Sequence, residues 1–190
     1  MTYLIAGLVI FLGVHSVRLF AEPWREATIA RMGPLPWKGL YSLVSIAGFA
    51  LLVWGYGQSR GQVPLWDPPH ALHYVTALLM LPVFPLFIAA YVPRNGLKAA
   101  LHHPQVLSVK TWAFAHLLSN GSLADVLLFG GFLLWGVLSF RAARKRDREQ
   151  GKVYPPGTTR STAITVVVGL AIYVVFAGWL HGLLIGVQPV

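Results

Sequence analysis

The chain of 190 residues has no cysteine, and only 11% of its residues are charged. Without cysteine there are no disulfides, no thiolate-ligated haem, no iron–sulfur clusters and no cysteine-type zinc sites. Soluble domains carry about 25% charged residues. A chain with so little charge has too few polar groups to coat a water-facing surface, which excludes an ordinary soluble domain and a disordered one. Acidic residues are scarcest: 6 Asp and Glu against 15 Lys and Arg, giving a net charge of +9. The basic residues fall between apolar runs rather than on one folded face, so no nucleic-acid partner is expected. What the chain has in quantity is apolar surface, with a hydrophobic fraction of 56% and a mean hydropathy of +0.63.

A helix needs about 20 apolar residues to cross ~30 Å of hydrocarbon. Five runs satisfy this: Thr2–Phe20, Gly39–Gly57, Leu72–Val92, Ser122–Phe140 and Thr162–Ile185. A sixth, Gln105–Leu118, is short and contains Lys110. No basic segment precedes the first run and no small-residue cleavage site follows it, so it reads as a retained helix. The expectation is an all-α polytopic membrane bundle of six transmembrane helices, the fourth short, forming one domain over residues 1–190. Six spans put the first, third and fifth loops on one side. Those loops carry 13 of the 15 basic residues, including the run from Arg141 to Arg160. The positive-inside rule then places them in the cytoplasm and both termini on the periplasmic side. Residues 141–160 are expected to form a basic cytoplasmic loop. Pro82 and Pro85 should kink the third span, and Ser122-Leu-Ala-Asp125 reads as a capping box.

The chemistry lies in the histidines. There are seven: His15, His70, His73, His102, His103, His116 and His181. An ionisable residue inside a span is costly and points to function. His15 and His116 lie within apolar runs beside small residues. Zinc would need three or four ligands, and the one carboxylate in a span, Asp125, has a capping role. Two separated histidines on facing helices in an apolar, aromatic bundle suit haem iron better.

Several stretches resemble the NnrU family of membrane proteins: Gly13-Val-His-Ser-Val-Arg18, Trp37 to Ser45, Val53-Trp-Gly-Tyr56, Leu79-Met-Leu-Pro82, and His103-Pro-Gln through Ala115-His to Gly121. They run in order over about residues 1–140. The resemblance implies a bacterial inner-membrane protein associated with denitrification, the metabolism of nitrite and nitric oxide. A distant likeness to plant 15-cis-zeta-carotene isomerase covers the His-Ser, His-Pro-Gln and Ala-His segments. It implies b-type haem with His15 and His116 as axial ligands. Arg18, one turn from His15, would then meet a haem propionate, and Trp112, one turn before His116, would stack on the macrocycle. Straight spans put His15 about 7 Å and His116 about 18 Å from the cytoplasmic side. Tilt, or a first helix displaced outward, would close that offset. Otherwise His116 pairs with His73 or His181, and His15 serves a separate site with His103.

Three functional readings follow. The first is a redox- or nitric-oxide-responsive haem protein. The second is a haem-dependent cis–trans isomerase acting on a lipophilic polyene. The third is a haem-free transporter or assembly factor, for which the proline-broken third span is the supporting feature.

Overall fold

The first helix starts and stops where hydropathy alone puts it. A computed structural model describes residues 1–189, and these are all-helical apart from turns and one isolated bridge between Pro64 and Ser122. They divide into two compact units: residues 1–67 with 121–139, and residues 68–120 with 140–189.

In the first unit, α1 (Thr2–Phe20) packs antiparallel to α3 (Pro34–Ser59). Helices in lipid gain little from hydrophobic association and rely on close packing at small residues. That packing is explicit here. A Cβ on Gly7 would collide with the Leu52 backbone, and one on Gly55 with the backbone of Tyr3 and Leu4. Between these two helices lies α2 (Glu22–Met32), where hydropathy gave only a loop. It is polar and buries nothing. Pro23 in its first turn and the Glu22–Arg25 pair at 3.0 Å favour a helix there. Pro34 and Pro36 open α3 five residues before the expected Gly39.

The first part of α8 (Leu123–Glu149) completes this unit. Its start is the expected capping box. The Ser122 backbone N–H and hydroxyl both donate to Asp125 Oδ2, at 2.8 and 2.6 Å, and the Asp125 N–H lies 3.4 Å from Ser122 Oγ. The other carboxylate oxygen accepts from the Tyr56 hydroxyl at 2.6 Å. The preceding non-helical stretch satisfies its amides locally. Leu65 N–H donates to Gly121 O at 2.8 Å, and Leu123 N–H to Val63 O at 2.8 Å.

The second unit is built from broken helices. The third apolar run is divided into α4 (Ala71–Met80) and α5 (Val83–Ala89), and the break at Leu81–Pro82 is the expected proline kink. After α6 (Gly96–Leu101) comes α7 (Pro104–Ser119), then the last part of α8. The final run is α9 (Thr159–Val175), a π-helical turn at Phe176–Leu180 and α10 (His181–Ile185). Side-chain hydroxyls tie these pieces to carbonyls on other helices. Thr76 Oγ1 donates to Ala115 O at 2.8 Å, Ser108 Oγ to Val83 O at 2.9 Å, and Tyr173 Oη to Ala77 O at 2.9 Å.

Among the described residues, five helical segments are long and apolar enough to cross a bilayer: Thr2–Phe20, Pro34–Ser59, Ala71–Ala89, Leu123–Glu149 and Thr159–Ile185. The expected short span, α7, has 16 residues and is not among them; it reaches about 24 Å at 1.5 Å per residue. The segment from Arg141 to Arg160 is not a loop throughout. Its first nine residues continue α8, and the chain returns through residues 150–158.

Candidate functional site

His15 belongs to the first unit and His116 to the second. Each is set one turn after a backbone carbonyl that it engages. His15 Nδ1 lies 2.7 Å from Phe11 O, and His116 Nδ1 lies 2.9 Å from Trp112 O. A carbonyl only accepts, so each Nδ1 carries the proton and the lone pair sits on Nε2. A second ring nitrogen tied to a backbone carbonyl is the usual arrangement behind a metal-bound imidazole.

Around His15 the walls are aromatic. The rings of Phe11, Tyr41 and Trp135 lie 4.2, 5.3 and 6.2 Å from the imidazole, with Trp135 edge-on. The Trp135 indole N–H is buried and has no hydrogen-bond acceptor. Buried polar atoms without partners in an apolar wall are uncommon and call for an explanation. Arg18 is mostly exposed and lies 3.5 Å from Glu22. The Trp112 ring is 5.5 Å from that of His116, and Asn120 Nδ2 donates to His116 O at 2.8 Å.

The alternates differ. His181 Nδ1 bonds Val187 O at 2.7 Å, directly after the π-turn. His73 lies beside exposed His70, with ring centroids 5.4 Å apart. His103 is in a polar cluster of its own. Its Nε2 lies 2.7 Å from Asp147 Oδ2, and the Tyr154 hydroxyl donates to the same oxygen at 2.8 Å. Burial holds the His103 imidazole below its usual pKa, against the pull of Asp147. At neutral pH the ring is therefore uncharged, and its Nε2–H donates to the carboxylate. Burial and the Asp147 carboxylate push the Tyr154 phenol up to about 12. Next to it, Arg144 Nη1 bonds His102 Nδ1, and the His102 ring stacks on Tyr154 at 4.2 Å. His102 holds φ +67°, and Arg94 at the other end of α6 holds φ +53°. A positive φ in a non-glycine residue costs on the order of 1 kcal/mol, and such residues gather at functional sites.

The motif reading missed this cluster. Asp147 is 44 residues from His103, inside a run that reads only as basic. The available signal was the two carboxylates, Asp147 and Glu149, within that run. Among the described residues, no three His, Asp or Glu side chains converge on a metal-ion site.

An all-helical chain with five candidate spans and histidines set among them is a multi-pass membrane protein. Its sequence matches the family model described as NnrU protein over residues 3–189, nearly the whole chain. The protein belongs to the NnrU family, as the ordered motifs implied, and its association with denitrification holds at the level of that family. Comparison with curated proteins and with solved structures finds no match.

Proposed function

We propose that this protein is a b-type haem protein of the bacterial inner membrane, redox- or nitric-oxide-responsive, with His15 and His116 as the iron-binding residues. The observation that carries the reading is the shared state of the two imidazoles. Both hold the proton on Nδ1 against the i−4 carbonyl, which orients Nε2 as the donor atom. The donor set fits haem chemistry, since neutral imidazole is a normal axial ligand. The unpartnered Trp135 N–H, in a ring 6.2 Å from His15, offers a polar contact to a bound group. Bound haem would supply a one-electron redox centre, with a coordination position for nitric oxide only where one of the two histidines gives way. The protein's part is to hold the two imidazoles in one tautomer and to keep water out with Phe11, Tyr41, Trp135 and Trp112. In this reading α7 is a short sixth span, which puts the basic segments in the cytoplasm and both termini in the periplasm.

The test is the absorption spectrum of detergent-purified protein, oxidised and dithionite-reduced, beside His15→Ala and His116→Ala. A Soret band with sharp reduced α and β bands, lost in both variants, is expected. A wild type that stays colourless after added haemin overturns the reading and leaves the transporter or assembly-factor class. Loss in His116→Ala alone moves the second ligand to His73 or His181.

A further inference from the structure

Within the second unit, a cavity of about 240 Å³ is lined by Lys98, His102, His103, Gln105, Lys152 and Tyr154. It is smaller than the roughly 300 Å³ at which sites for drug-sized ligands begin, a size suited to a small anionic group. Its charge is lopsided. Lys98 and Lys152 line it and Arg144 bonds His102, while Asp147 pairs with Lys152. That carboxylate is already engaged. Its Oδ2 accepts from His103 and Tyr154, and its Oδ1 lies 3.8 Å from Lys152. Lys98 Nζ donates to Ala90 O at 2.9 Å and keeps two further N–H groups. Lys152 sits over the Tyr154 ring at 4.9 Å. The backbone amides at the start of α7, whose first turn has no acceptor within the helix, add partial positive charge beside Gln105.

From the cavity and its lysines we infer that this is a binding site for a phosphate-bearing anion of headgroup size. Lys98 and Lys152 contact the phosphate oxygens. The neutral His103 is fixed by Asp147 with its proton on Nε2, and the stacked His102–Tyr154 pair walls one side. His102 holds its positive φ with its ring stacked on Tyr154, and both line the cavity. The same chemistry admits two sources: the phosphodiester of an anionic lipid, or a free phosphate. The site is separate from the proposed haem ligands and does not depend on them.

The test uses the full chain in detergent, titrated with inorganic phosphate in one arm and short-chain phosphatidylglycerol in the other. Thermal shift and native mass spectrometry follow binding. Saturable, one-equivalent binding in either arm is expected, and the arm that binds identifies the source. Lys98→Gln and Lys152→Gln should each weaken it about fivefold, while Lys98→Arg and Lys152→Arg retain it. Lys145→Gln is the control. Lys145 is exposed, pairs with Glu149 at 3.7 Å and lies outside the cavity, so it should change nothing. No saturable binding in either arm overturns the inference. So does equal weakening by Lys145→Gln, which would mean a diffuse basic face, or binding unchanged in both glutamine variants.

Discussion

The two units meet the same problem, holding helices together in lipid, by different means. In the first, α1 and α3 press together where glycines leave room, and polar groups gather in one knot of Tyr56, Ser122 and Asp125. In the second, helices are broken and hydroxyls from Thr76, Ser108 and Tyr173 reach carbonyls on neighbouring helices. Unbroken helices satisfy their own backbone and need only a close fit. Broken ones free backbone groups and add polar side chains at the seams. Close fit tolerates no added atoms, whereas a distributed set of hydrogen bonds loses strength one small increment at a time.

The sharpest way to break this comparison is Gly55→Val. Its side chain would meet the Leu4 backbone, which cannot swing aside, and should cost about 3 kcal/mol or more, read as thermal unfolding in detergent. Next comes Asp125→Ala, which removes the α8 cap and strands the Tyr56 hydroxyl, for a loss of about 2 kcal/mol. In the second unit, Ser108→Ala should cost only about 0.6 kcal/mol, as single interhelical hydrogen bonds in membranes do. A Ser108→Ala cost equal to that of Gly55→Val would erase the distinction. The smallest effect concerns pH. The His103 pKa is lowered in the folded state, so its stabilising contribution is complete above the ordinary value of 6.5. As pH falls below that, the unfolded chain takes up the proton first and the contribution declines. A pH series of melting temperatures should show the decline in the wild type and a flatter curve in His103→Gln.

Much of this fold could be read from the residues. Hydropathy set both ends of α1, and Ser122 with Asp125 announced the start of α8. Pro82 located the break between α4 and α5. Reading failed where hydropathy falls silent. The polar α2 and the last nine residues of α8 are helices made of charged residues and good helix formers, and a membrane scan sees both as loop. Of the site, the residue types and their apolar setting were legible for His15 and His116. Their tautomers were not, because those depend on which ring nitrogen meets a carbonyl. The His103–Asp147–Tyr154 cluster was hidden by separation along the chain.

The π-turn at Phe176–Leu180 carries a consequence for which way the end of the last span faces. The His181 N–H reaches back five residues to Phe176 O, so the helix contains one residue more than a regular α-helix would. A turn of this kind holds the extra residue without breaking the helix. Everything after it is rotated by about 100° relative to an uninterrupted helix. Deleting one residue between Phe176 and Leu180 would restore a regular α-helical register, turning His181 to another face while leaving α9 as it is.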